Sequence, residues 1–349
     1  MCKPLRPPNV DKLYANQPSH VWFIQSYLSK TAREIPENDY LTCPVGVLLL
    51  LTTLLGSGAA RADTGSQIAQ TLRLRAQMEL NDLRYARDEA RSLYRMIHSE
   101  MTSAQTYMDN YRVPIIHVSN GIFIKEGYHL QTEFRRSILD EFHGQERELN
   151  FQNQSHAAKE INYWVNTETK GLIPRFFRSP DELPRDSRLV VFNIFTFKES
   201  WARPFAPYST VVADFWIKEG HAIRVPMMST VEMVDYADFS DRGFTLIRKR
   251  MKPTQSRLID TFTFQMFSHS IGITTTERLY ISMLRQGTVL KVDETGIEAA
   301  AATAVVTVPT SALRATVDFH VDQPFVCFLY DAELQIPLLA ARIARPMGG

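Results

Sequence analysis

The chain is poor in cysteine. Its three, Cys2, Cys43 and Cys327, have neither the spacing of a metal site nor the pairing of a disulfide framework, so free thiols are expected. Also missing are the Gly-x-Gly-x-x-Gly, Gly-x-Ser-x-Gly and His-Glu-x-x-His signatures and any phosphate-cradling Gly-Lys-Ser/Thr loop. Their absence argues against the dinucleotide, hydrolase, zinc-peptidase and nucleotide chemistries that those patterns serve. His143, His156 and His269 stand in polar stretches with no nucleophile signature beside them, and each is read as a solvated or internally satisfied side chain. No enzyme, cofactor or metal is expected.

An excess of either charge is lacking too. A net charge of +1 and a hydrophobic fraction of 44% leave ample core and imply no general nucleic-acid or membrane role. The longest apolar run, Val45 to Leu51, falls far short of the roughly 20 residues a membrane helix needs. Met1-Cys-Lys-Pro-Leu-Arg-Pro-Pro8 has no apolar secretory core, so a reducing, cytoplasmic setting is expected, or an extracellular one if a leader has been removed. Asn153-Gln154-Ser155 is a glycosylation acceptor, a triplet too common by chance to decide the compartment. No repeat, linker-like run or block of like charge interrupts residues 40–345, and residues 1–349 read as one domain.

What is present is concentrated near the C-terminus. Val292-Asp-Glu-Thr-Gly-Ile-Glu-Ala-Ala-Ala-Ala-Thr-Ala-Val-Val-Thr-Val308 joins a glycine pivot, a run of small residues and a β-branched run. Glu298 is the only charge between Gly296 and Arg314. Ala299, Ala300, Ala301, Ala302, Thr303 and Ala304 are small enough to slide between two strands, while Thr303, Val305, Val306, Thr307 and Val308 supply strand propensity. Taken alone, the segment is equally compatible with a short Ala-rich helix.

Its surroundings shift that balance. After Pro309-Thr-Ser-Ala312 come Val317-Asp-Phe-His-Val-Asp-Gln-Pro-Phe-Val-Cys-Phe-Leu-Tyr330 and Leu334-Gln-Ile-Pro-Leu-Leu-Ala-Ala-Arg-Ile-Ala-Arg-Pro346. Earlier lie Ser119-Asn-Gly-Ile-Phe-Ile-Lys-Glu-Gly127, Ile161-Asn-Tyr-Trp-Val-Asn166 leading to Lys170-Gly-Leu-Ile173, Leu189-Val-Val-Phe-Asn-Ile-Phe-Thr-Phe-Lys-Glu-Ser-Trp-Ala-Arg-Pro-Phe205, and Val225-Pro-Met-Met228. As an ordered set these motifs resemble the serpin family through most of the chain. The fold so implied is α+β: a large mixed main sheet, smaller sheets, N-terminal helices and an exposed reactive loop at about residues 294–318.

The resemblance implies a serine protease inhibitor acting as a suicide substrate. A protease acylates itself on the loop, and the segment from Ile297 onward inserts into the main sheet as a new central strand, distorting the captured enzyme. The mobile hinge would comprise Glu294, Gly296, Ile297 and Glu298 with the small residues up to Ala304. Because side chains alternate along a strand, Glu298 facing solvent turns Ile297, Ala299, Ala301, Thr303, Val305 and Thr307 to the buried face, which carries no charge. Ile297 stands where the family prefers threonine or serine, so slower insertion is expected from its bulk. Counting from Glu294 as the family does places the reactive bond at Thr310-Ser311, suited to an elastase-like protease. Leu313, chymotrypsin-like, and Arg314, trypsin-like, stand as alternatives.

The gate that must open departs from the family's pattern. Cys43-Pro-Val-Gly46 replaces Ser-Pro-x-Ser and Gln286 replaces a histidine, while Asn193 is retained. The implied shutter of Cys43, Gly46, Asn193 and Gln286 has weaker donors as a result, and Trp201 is expected at the breach above it. Between Met228 and Gly296 several tens of residues are missing relative to the family. The expected losses are part of the second sheet, two helices and the main-sheet strand bordering the hinge. Lys252 to Phe267 matches no family element, and no salt-bridge partner can be assigned to Glu294.

Two basic features remain. Arg84, Arg87, Arg91 and Arg95 share one helical face where some serpins bind heparin-like glycans; the competing reading is a solvated face with Leu83, Ala90, Leu93 and Ile97 turned inward. Arg248-Lys-Arg-Met-Lys252 reads as a solvated strand end, with a nuclear signal or glycan site as alternatives. The sequence therefore points to an inhibitory serpin. The alternative is a non-inhibitory carrier, chaperone or decoy substrate of the same fold, favoured by the shortened 229–295 region.

Overall fold

Pro44 opens the most apolar helix of the chain, where its missing N–H removes a donor that would otherwise lack a partner. A helix apolar on every side must be buried on every side, and Val45, Leu48, Leu49 and Leu55 are. Thr52 and Thr53 are tolerated inside because their hydroxyls donate to the carbonyls of Leu48 and Leu49.

The computed structural model describes residues 17–35, 38–74, 83–103, 105–108, 111–114, 116–127, 132–187, 189–252, 259–266, 284–287, 292–297 and 318–346. In chain order its elements are α1 (Ser19–Glu34), β1 (Tyr40–Thr42), α2 (Pro44–Gly56), α3 (Ala62–Thr71), α4 (Arg84–Ser103), β2 (Gln105–Met108), β3 (Tyr111–Pro114), β4 (Ile116–Lys125), α5 (Thr132–Asp140), β5 (Gly144–Leu149) and α6 (Gln154–Glu168). Then follow β6 (Leu189–Phe197), β7 (Glu199–Ser200), β8 (Val211–Lys218), β9 (His221–Met227), β10 (Asp235–Phe239), β11 (Phe244–Arg250), β12 (Ile259–Met266), β13 (Leu284–Gly287), β14 (Gly296–Ile297), β15 (Phe325–Asp331) and β16 (Ile336–Ile343). Among the described residues no helix is long and apolar enough to cross a membrane.

Two sheets organise the molecule. The main sheet has the order β13-β6-β4-β5, with β4 antiparallel to β6 and parallel to β5, and β13 parallel to β6. The second sheet, β1-β16-β15-β12-β11-β10, is antiparallel throughout. Two expectations are corrected here. Ile259–Met266, within the stretch that matched no family element, is β12 and closes the second sheet between β11 and β15. The strand bordering the hinge, expected to be lost, is present as β13, with Gln286 opposite Asn193. Among the described residues no α-helix follows α6.

Both faces of the main sheet are covered. Val191, Phe195 and Phe197 of β6 join the core built with α2 and α4, whereas Val190, Phe192 and Ile194 join a second core beneath α6. Asn153, the asparagine of the glycosylation triplet, caps α6 by accepting from the His156 N–H at 3.2 Å. The far end of α6 is tied to the sheet through Glu168, which meets His117 Nε2 at 3.1 Å and Gln145 Nε2 at 2.8 Å, while Trp164 Nε1 donates to Gln145 at 3.0 Å. Those bonds, with the His117 contact first, hold the Glu168 carboxyl below its usual range. Trp164 lies so close to β4 that a Cβ at Gly121 would stand 2.6 Å from its ring. Gly121→Val is expected to lower the unfolding free energy by about 1–3 kcal/mol, read as a lower urea midpoint.

The end of α4 carries a stacked ring column. His98 lies between Tyr94, at 5.3 Å, and His143, at 4.5 Å, and Tyr94 donates to the Phe142 carbonyl at 2.6 Å. Burial, then the neighbouring His143 and His117, pull His98 from 6.5 down to about 4. The folded state thus prefers the neutral ring. Between those values the unfolded chain binds a proton that the folded chain refuses, so this contribution is complete above pH 6.5 and declines as pH falls toward 4. His98→Phe keeps a ring in the column and should flatten that part of the stability profile, measured by denaturant melts at stepped pH.

Candidate functional site

β6 continues through β7 to Trp201, and the hinge is fastened to that corner. Gly296 pairs with Ser200 and Ile297 with Glu199, antiparallel, while Val292 bridges Ile297 on the other side. The turn between them is an Asx turn, with Asp293 Oδ1 accepting from the Thr295 N–H at 2.8 Å. Three donors hold its carbonyls: Trp201 N–H on Thr295 at 2.9 Å, Trp201 Nε1 on Asp293 at 2.9 Å, and Phe205 N–H on Glu294 at 2.7 Å. Thr210 Oγ1 donates to Glu294 Oε1 at 2.7 Å. A neutral hydroxyl therefore meets this carboxylate, for which no partner was assigned from sequence.

Ile297 is 4% exposed and packs in the core that includes Trp201 and Met251. The isoleucine whose bulk was expected to hinder insertion is already accommodated at the first step. Residues Glu298, Ala299, Ala300, Ala301, Ala302, Thr303 and Ala304, and the candidate bonds at Thr310, Ser311, Leu313 and Arg314, lie outside the described residues.

The shutter residues come together around β6. Asn193 Nδ2 donates to Asn120 Oδ1 at 2.9 Å, and Gln286 occupies the facing position on β13. Cys43 and Gly46 head α2, which packs on β6. Burial drives the Cys43 thiol well above its usual range, only partly opposed by the Gly46 N–H, and lifts Cys327 to about 12. Neither is joined in a disulfide. Asn120 was not singled out from sequence, although it lies in the quoted Ser119–Gly127 motif.

The corner is supported from below by β11. Trp201 bridges Met251, Ala202 N–H donates to the Arg250 carbonyl at 3.0 Å, and Lys252 N–H to the Ser200 carbonyl at 2.9 Å. Lys249, expected on a solvated strand end, is instead 8% exposed. Its ammonium stands 4.4 Å from the centre of the Phe205 ring and 5.4 Å from that of Trp201. On α4, Ala86, Ala90, Tyr94, Ile97 and Met101 face inward, and Arg91 is engaged by Asp88 at 3.2 Å and Glu141 at 3.3 Å. Among the described residues no group of His, Cys, Asp or Glu is arranged to hold a metal.

Comparisons with known proteins agree with this arrangement. The family model described as "Serpin (serine protease inhibitor)" matches residues 21–259 and 258–346. The chain is 28% identical over 286 residues to an alpha-1-antiproteinase of Rattus norvegicus, covering 66% of this chain and 68% of that protein. It superposes on a serpin of the trematode Schistosoma haematobium with a TM-score of 0.80 at 28% identity, over 95% of this chain and 100% of the other. Human thyroxine-binding globulin complexed with its ligand shares the fold, with a TM-score of 0.73 at 18% identity over 96% of this chain and 100% of that one.

Thr210→Val removes the hydroxyl on Glu294 and keeps the side chain's shape. A loss of about 1 kcal/mol is expected, because the carboxylate is only half-buried and water can replace the donor. Faster amide exchange confined to residues 201–210 and 292–297 would locate that loss at the hinge.

Proposed function

The chain belongs to the serpin family, described as serine protease inhibitors and not enzymes in the catalytic sense, and from that we propose that it inhibits a serine protease by loop cleavage and strand insertion. The observation that carries this reading is the register of the hinge. Gly296 and Ile297 run antiparallel to β7, as a strand entering between β6 and β13 must. Carried on without a bulge, the pairing sets Thr303 opposite Asn193, and the Val292–Ile297 bridge sets Thr303 opposite Gln286. Asn193 and Gln286 are themselves partners across the present gap, so both registers close on one residue.

The layers support the same assignment. Odd-numbered residues of β6 face the core behind α2, so Ile297, Ala299, Ala301 and Thr303 would face it too. The intervening Ala300, Ala302 and Ala304 would face α6, where a methyl group fits and a larger side chain would press on the helix. Insertion exchanges one parallel pairing for two antiparallel ones, which are slightly more stable per residue. Thr310-Ser311 is the proposed reactive bond and an elastase-like enzyme the proposed target. With Arg91 held by Asp88 and Glu141, we do not extend the proposal to a polyanion.

Incubation with an elastase, a chymotrypsin and a trypsin in turn tests this. A complex that survives denaturing gels, with a C-terminal fragment beginning at Ser311, is the expected result with elastase. A fragment beginning after Leu313 or Arg314 would move the bond. Cleavage without any complex would make the protein a decoy substrate. Thr303→Arg places a charge on the buried face and should convert inhibition into simple cleavage.

A further inference from the structure

Lys249 is enclosed on all sides by the hinge corner. Its Nζ donates to the Arg203 carbonyl at 2.9 Å and to the Glu232 carboxylate, and it lies against the faces of Trp201 and Phe205. These two aromatic residues are the ones whose backbone N–H groups hold the hinge carbonyls. The flanking Arg248 and Arg250 reach outward to Asp235, so within that part of the basic run it is Lys249 that turns in. Glu232 does the same in its own loop: Val231 is 93% exposed and Met233 75%, while the carboxylate between them is buried against Lys249. Burial pulls the lysine below its usual range and Glu232 opposes that shift.

We propose that the Lys249–Glu232 pair positions Trp201 and Phe205 and thereby sets how readily the hinge is released into the gap between β6 and β13. The proposal rests on the insertion reading above. A buried ion pair is a weak source of net stability, since the desolvation of both charges offsets their attraction. A cation held against two ring faces does something else: it orients them. The contact fixes the Trp201 ring with its indole N–H on Asp293, and it packs the same corner whose backbone N–H groups hold Thr295 and Glu294. Without the cation the corner loses the contact that packs both rings, the indole donor is held less firmly, and the backbone donors beside it open more often.

The test uses hydrogen–deuterium exchange of the intact protein without protease, so it does not depend on inhibition being observed. Lys249→Met leaves Glu232 buried without its partner and should lower Tm as well as open the corner. Lys249→Met/Glu232→Gln removes both charges and should recover most of the Tm. In that double variant the amides of Trp201 and Phe205 are expected to exchange about tenfold faster than in the wild type, with the rest of β6 and β11 unchanged. Protection at wild-type level in the double variant would overturn the proposal and leave the pair as core packing. Should Lys249→Met fail to fold, the double variant decides alone. Uptake of a synthetic peptide of residues 297–310, followed on native gels, should be faster by a similar factor if the corner gates the sheet. Failure of the wild type to accept that peptide would count against the insertion reading itself, whatever the exchange data show.

Discussion

The parallel alignment of β6 with β13 is the constraint on which the rest of this structure depends. Adjacent parallel strands need a long crossover, and here the chain leaves β6, builds the β8–β9 hairpin and half of the second sheet, and returns as β13. A parallel pair has slanted bonds and leaves room in topology for one antiparallel strand between its members. The hinge is the segment that follows β13, already reversed by the Asx turn at Asp293. Direction, position and connectivity thus meet at Ile297.

If the sheet accepts a strand as proposed, it must be held shut until then. The bonds across that seam and its corner are modest and local: the short parallel ladder between Leu284–Gly287 and Val191–Ile194, the indole and backbone donors on the hinge carbonyls, and one hydroxyl on Glu294. Net contributions of about 1 kcal/mol apiece are small beside the ladder that a full new strand would form. In the proposed mechanism, that imbalance would let a single cleavage release the transition. Cys43 is fully buried at the head of α2, where the Gly46 N–H meets its thiol.

Size governs the two faces of the gap. α6 is pressed onto the sheet by Trp164 over Gly121 and fastened through Glu168. A strand arriving beneath such a helix must present methyl groups upward, and under the proposed insertion the alanines of the hinge would do so by alternation. On the opposite face the core behind α2 accepts Ile297, so bulk is tolerated where the sheet is lined by Trp201 and Met251.

Much of this was legible in the chain itself. Small size and β-branched propensity in residues 296–308 are local properties read from composition, and by themselves they fit a strand or a short Ala-rich helix. The inward face of α4 follows from its spacing, and Asn193 and Gln286 were marked as shutter residues before their pairing was seen. The alternation in Ile259-Asp-Thr-Phe-Thr-Phe-Gln-Met266 also signalled a strand, but it was obscured by counting the chain against a longer family pattern. Lys249 was not legible. Period two says that it opposes Arg248 and Arg250, yet not which of the two sets faces inward. That sign is decided by the sheet packed beneath Trp201, which assembles from segments far apart in sequence, and the same holds for Thr210 meeting Glu294 across 84 residues. Sequence determined which segment can become a strand; tertiary structure alone decided which side chains hold it back, because desolvation and contact exist only once distant elements are packed together.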